Sequence, residues 1–233
     1  MGDFAIIAEG ITDQVVLKNV LLGCLADQDE EPLINFEQPR LDESARHGEH
    51  APGGWTLVFR YFKDGLYKAA LQTNAYLVVH IDTDVSDDYG IPKGAVGDEQ
   101  ALIDRVIARF QELIDPEIWQ AHRDRFIFAI AVHEIECWLL PLLYVDQKAK
   151  QAKITGCFAA ADGQLAALKR PGLRDKDSRK DPRAYDLGSA AYRKRKILLA
   201  YHTDNISLRV FVDEVARRNI VVPVQSSAAA PKS

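Results

Sequence analysis

The chain is poor in cysteine, in methionine and in long apolar runs. Its three cysteines, Cys24, Cys137 and Cys157, show neither CxxC spacing nor an even count for pairing, and its opening residues are not a basic stretch followed by an apolar one. A reducing cytoplasm is the compartment this predicts. No stretch approaches the roughly 18 consecutive apolar residues that a membrane span requires, so no membrane partner is expected. A net positive charge is missing too. At −5 overall the chain does not read as a generic nucleic-acid coat. That average hides an uneven distribution: residues 169–196 hold 11 Lys/Arg against 4 Asp, a local +7 that leaves −12 for the rest.

What is present is ample apolar material. A hydrophobic fraction of 47% in 233 residues suffices for one large domain, or for one domain with a smaller appendage. The most informative stretch is Tyr76, Leu77, Val78, Val79, His80, Ile81, Asp82, Thr83, Asp84, which runs on through Asp87 and Asp88 to Gly90. A short β-branched run ending in acids and glycine reads as a buried strand emptying into a polar loop. Side chains alternate along a strand, so Asp82 and Asp84 project to one side. At about 4 Å and an effective dielectric near 20, two carboxylates repel by roughly 4 kcal/mol, and the pair calls for a proton or a hard divalent cation. Taken alone, the same residues also suit a solvated loop of turn-forming Asp and Gly.

The same grammar recurs along the chain. Phe4 to Ala8 form a strand pattern that stops at Glu9 and Gly10, and Thr12 opens a periodic helix with Val15, Val16, Val20 and Leu21. Thr12 is a fitting cap there, and Asp13 suits the first turn electrostatically. Glu9 at a strand end faces the crevice where α/β sheets bind ligands. Residues 26–54 read as an acidic, proline-interrupted insertion with Leu33 to Phe36 as a short strand; Trp55 to Arg60 read as a strand, and 62–73 as a helix. Asp98 starts a helix bearing Leu102, Ile103, Val106, Phe110 and Ile114 on one face. Phe126 to Val132 form another strand, bounded by His133, Glu134, Ile135, Glu136, Cys137 and Trp138. A helix starting near Glu134 sets Glu134 and Glu136 about 200° apart, whereas a continued strand puts them on one face; the spacing does not decide. Helices follow at 148–168, 188–201 and, capped by Ser207, 208–218, before a flexible tail at 223–233.

Strands alternating with helices predict an α/β fold: a mainly parallel four-stranded sheet flanked by helices over residues 1–144, then a basic helical appendage over 145–222. Three of the strands end at acids, and in such sheets those ends share one edge.

These segments resemble the TOPRIM family. Ala8-Glu9-Gly10-Ile11-Thr12-Asp13 closing one strand and Asp82-Thr83-Asp84 closing another are similar to its motifs. An acid four residues after the glutamate is closest to the OLD-like nucleases, and the 133–140 segment is similar to a motif of small stand-alone TOPRIM-like proteins found with bacterial defence systems. The resemblance spans about residues 4–144. It implies a Rossmannoid sheet, Glu9, Asp82 and Asp84 as catalytic and metal-binding acids, and Asp13 with Glu134 or Glu136 at a second metal. The implied cofactor is Mg²⁺, with Mn²⁺ as substitute. The chain departs from the family in lacking the ATPase domain of OLD nucleases, a topoisomerase tyrosine segment and a primase-type zinc module.

The expected activity is therefore phosphodiester hydrolysis, or a related phosphoryl transfer, on DNA or RNA, with Lys176, Arg179, Lys180 and Arg183 contacting phosphates. Two alternatives remain open: a non-catalytic interaction module serving a protein partner that supplies a motor or targeting function, and an enzyme acting on a small phosphorylated molecule.

Overall fold

A computed structural model describes residues 2–39 and 54–223. Residues 40–53 of the acidic insertion and nearly all of the C-terminal tail lie outside these residues. The elements are β1 (Gly2–Ile7), α1 (Ile11–Cys24), β2 (Ile34–Gln38), α2 (Trp55–Lys63), α3 (Tyr67–Thr73), β3 (Asn74–Asp82), α4 (Glu99–Gln111), α5 (Pro116–His122), β4 (Phe126–Ala131), a 3₁₀ turn (Ile135–Leu139) and α6 (Leu140–Leu143). The C-terminal part adds α7 (Lys148–Gln151), α8 (Cys157–Ala167), α9 (Pro182–Ser189), α10 (Arg195–Tyr201) and α11 (Ile206–Arg217). No helix among the described residues is long and apolar enough to cross a membrane.

The four strands form one all-parallel sheet in the order β2-β1-β3-β4. Parallel strands covered on both faces read as unbroken apolar runs, and all six residues of β4 are buried. Alternation then sorts the side chains into two layers. Phe4, Ile6, Val78, Ile127 and Ala129 pack with α1, Trp138, Tyr185 and Phe211, whereas Ala5, Ile7, Val79, Phe128 and Ile130 pack with Val58, Phe59, Val106 and Phe110. The first layer contains residues from both sides of position 144, so the C-terminal helices share a core with the sheet. Gly23 permits this approach: a Cβ there would meet the Tyr192 carbonyl oxygen at 1.9 Å.

Several elements differ from expectation. Residues 55–60 lie in a helix rather than a strand, because Val58, Phe59 and Phe62 bury one helical stripe; the second strand is β2, in the segment read as an insertion. The helix expected over 148–168 breaks at Gly156, which takes a left-handed conformation (φ 59°). That expected over 188–201 divides into α9 and α10, and the helix expected to begin near Glu134 is a 3₁₀ turn over Ile135–Leu139 that runs into the short α6. Gly10 rather than Thr12 occupies the N-cap of α1, and Asn205 rather than Ser207 caps α11, its Oδ1 accepting from Leu208 N at 3.1 Å. Two cysteines expected to be unpaired are joined: a Cys137–Cys157 disulfide links the 3₁₀ turn to α8, leaving Cys24 free.

Candidate active site

Strands β1 and β3 are neighbours with Ile7 opposite Val79, so their C-terminal ends open on the same edge. There Glu9 Oε1 accepts the backbone N–H of Asp82 at 2.7 Å. Burial, then the Asp82 and Asp13 charges, push the Glu9 carboxyl up from 4.5 to about 8. Gly54 closes over it: its N–H reaches the Glu9 carbonyl at 3.3 Å, and at φ 84° it leaves no side chain above Glu9 Oε2.

Asp82 sits two residues from His80 on the same face of β3. The fully buried His80 donates from Nδ1 to the Ala129 carbonyl at 2.7 Å. Carbonyls only accept, so the proton on Nδ1 is fixed and Nε2 is directed at the acids. It lies 3.3 Å from Asp82 Oδ1 and 3.9 Å from Asp13 Oδ2. Asp13 also accepts from the Gly10 N–H at 2.8 Å, which ties it to the turn after β1. Burial raises the Asp82 carboxyl well above the carboxylate range, and the Asp13 and Glu136 charges raise it further; Lys180 opposes them. Asp13 is raised by burial as well, against the pull of His80 and Lys180.

Asp84 is held through its backbone. The His133 carbonyl accepts from both Thr83 N and Asp84 N at 2.9 Å, and the His133 N–H returns to Thr83 Oγ1 at 2.7 Å. His133 takes a left-handed conformation (φ 69°), a costly one for a non-glycine residue that its bonds to Thr83 and Asp84 sustain. Thr83, which points away from the acids, is thereby the clasp between the β3 and β4 ends.

The 3₁₀ turn separates the two glutamates. Glu134 turns to α8, where Oε1 accepts the Phe158 N–H at 2.8 Å. Glu136 is fully buried and faces the other acids. Its Oε1 lies 2.6 Å from Lys180 Nζ and accepts from the Tyr185 hydroxyl. The basic segment turns back to deliver that lysine: Asp175 accepts from Asp177 N and Arg179 N at 2.9 Å, and Asp181 N bonds the carbonyl of buried Leu173. The Lys180 side chain is 43% exposed along its length, yet its ammonium reaches the acids. Burial alone would lower the ammonium's pKa, but the Glu136, Asp13 and Asp82 charges outweigh burial and raise it.

The remaining basic residues stay outside the cluster. Arg179 pairs with Asp175 and Asp177 in its own loop. Lys176 is exposed and Arg183 lies on the outer side of α9. Thus the structure brings Glu9, Asp13, Asp82 and Glu136 together with Lys180, places Asp84 beside them in the turn that follows β3, and directs Glu134 elsewhere. No family model, curated protein or solved structure matches this chain.

Three contributors were not picked out from sequence. His80 had a signal, since alternation from Asp82 places it on the acid face. Tyr89, which donates to the Asp82 carbonyl at 2.9 Å, lies in the acidic loop without a distinguishing pattern. Tyr185 is more than a hundred positions from Asp82, and only folding joins them.

Proposed function

We propose that this chain is a divalent-metal-dependent phosphodiesterase acting on nucleic acid through a TOPRIM-like carboxylate site. The observation that carries this reading is the meeting of Glu9, Asp13, Asp82 and Glu136 at the C-terminal edge of the sheet, with Asp82 Oδ1 and Glu136 Oε2 buried and without hydrogen-bond partners. Buried acids in such proximity call for neutralisation, and Lys180 supplies only one positive charge.

The donor set fits a hard cation. Among the described residues no group of three or more His, Cys, Asp or Glu side chains is already gathered to hold an ion, but Mg²⁺ takes one or two carboxylates together with waters and substrate oxygens. Asp82 and Asp84 would hold it, with Mn²⁺ as an alternative occupant. When bound, such an ion polarises the phosphodiester and acidifies a coordinated water. The protein groups do the rest. Glu9 and the Thr83–His133 clasp fix the aspartates through their backbone, and the Lys180 ammonium places positive charge where a phosphate's negative charge would sit.

The test is cleavage of single- and double-stranded DNA and RNA in Mg²⁺ or Mn²⁺ by the native chain and by Asp82→Asn and Asp84→Asn. A loss on the order of a hundredfold or more in folded variants supports the reading. A second reading, a non-catalytic module for a protein partner, draws on the Lys180–Glu136 pair, which already neutralises one acid. Equal inertness of native chain and variants would favour it.

A further inference from the structure

A cavity of about 530 Å³ opens between α1, β2 and α9, within the roughly 300–1,000 Å³ range of ligand sites. Ile11, Val15, Phe36 and Leu187 form its apolar wall. Leu187 is 72% exposed at that wall, a large apolar side chain left uncovered. Lys18 and Arg183 add positive charge, and neither makes an ion pair among the described residues. Two of the elements that line the cavity also carry residues of the acid cluster: Asp13 lies between Ile11 and Gln14 on α1, and α9 carries Tyr185, whose hydroxyl donates to Glu136.

Gln14 is the second, independent sign of a ligand. It is 1% exposed, and its Nε2 donates to the Gln38 and Pro39 carbonyls, both at 2.8 Å. Those two acceptors fix the amide's orientation and leave Oε1 as a buried acceptor without a partner. Oε1 is withdrawn from the cavity's open surface, so a flat ligand that offers an N–H at its edge would pair with it as the Gln14 side chain turns toward the cavity.

We propose that this cavity receives an unpaired nucleobase of the strand whose phosphodiester lies at the acid cluster. The inference rests on the proposed nucleic-acid reading and adds to it a preference for single-stranded or flipped-out substrate. Every base has an apolar face that stacks on an aromatic ring such as Phe36, and each carries an edge N–H suited to Gln14 Oε1. Lys18 and Arg183 match the phosphates on either side. A paired base offers neither its face nor its Watson–Crick edge without first leaving the stack.

The experiment is fluorescence anisotropy of the full chain in Ca²⁺ with three labelled probes: a short oligodeoxyadenylate, the same backbone made abasic, and a duplex containing that strand. The intact single strand should bind roughly tenfold more tightly than the abasic one. Leu187→Asp, at an exposed position that does not threaten folding, and Phe36→Ala should each erase that difference. Lys18→Glu and Arg183→Glu should weaken intact and abasic strands alike. Equal binding of intact and abasic strands, or a duplex bound as tightly as the single strand, overturns the proposal and leaves the nuclease reading standing if Asp82-dependent cleavage is observed. Absence of binding to all three probes overturns both.

Discussion

Glu9 Oε1 accepts the backbone N–H of Asp82 at 2.7 Å, tying together two strand ends 73 residues apart in sequence. The bond holds Glu9 where it is buried and where the Asp82 and Asp13 charges oppose its ionisation, and the carboxyl rises to about 8. A group whose folded-state value lies above its unfolded value stabilises the fold when protonated. Its contribution is complete below about 4.5 and is lost as pH climbs through about 8. In chelator-containing buffer, stability should therefore fall between pH 5 and 8, by on the order of 3 kcal/mol. Thermal melts across that range check this, and Glu9→Gln should reduce the slope, leaving the part that the raised Asp82 and Asp13 carboxyls supply.

Lys180 and Glu136 form a pair whose two members differ in burial. Removing the ammonium leaves a fully buried carboxylate uncompensated. Lys180→Met should cost about 2 kcal/mol, less than a wholly buried pair because the lysine stem is solvated. Lys180→Met combined with Glu136→Gln should recover most of the loss. Urea unfolding of the two single variants and the double variant measures this coupling, and additive losses would show that the two side chains do not interact.

Trp138 connects the sheet to the C-terminal helices. It is fully buried, stacks on Phe211 with centroids 5.4 Å apart, donates to Ser207 Oγ at 2.8 Å and accepts the Tyr192 hydroxyl on its carbonyl at 2.6 Å. Trp138→Ala should cost about 3–5 kcal/mol. Because the two parts share one core, the variant should still unfold in a single transition; separate transitions for sheet and helices would contradict the shared core.

The cysteines make a chemical prediction. Thiol titration of the denatured, unreduced chain should find one free thiol, that of Cys24. In the native chain burial pushes that thiol up to about 12, so alkylation at pH 8 should be slow because little thiolate is present. Reducing the Cys137–Cys157 bond, which joins residues 20 apart, should lower stability by about 3 kcal/mol, read as a drop in melting temperature on adding reductant.

Much of the site was legible in sequence where local backbone geometry carries the information. The apolar runs that stop at Glu9 and at Asp82 located two of the strand ends, whereas Asp84, expected on the strand beside Asp82, lies in the turn that follows β3. The segment 55–60 was misread as a strand: Trp55, Val58, Phe59 and Phe62 follow helical spacing, but a short apolar run satisfies both periods until the sheet it packs on is known. The choice between Glu134 and Glu136 rested on a 3₁₀ turn set by the Cys137–Cys157 bond and by the Glu134 contact with α8. No periodicity encodes that choice.

By itself, then, the sequence determined an α/β chain whose strands run out into acids, because side-chain period and turn chemistry are properties of neighbouring residues. Only the tertiary structure decided that Lys180 and Tyr185 complete the acid cluster, that the segment at 34–38 rather than 55–60 is the edge strand, and that a cavity opens between α1, β2 and α9. Each of these depends on contacts between residues far apart in the chain, and such contacts are selected by the burial of whole surfaces against one another rather than by any local preference.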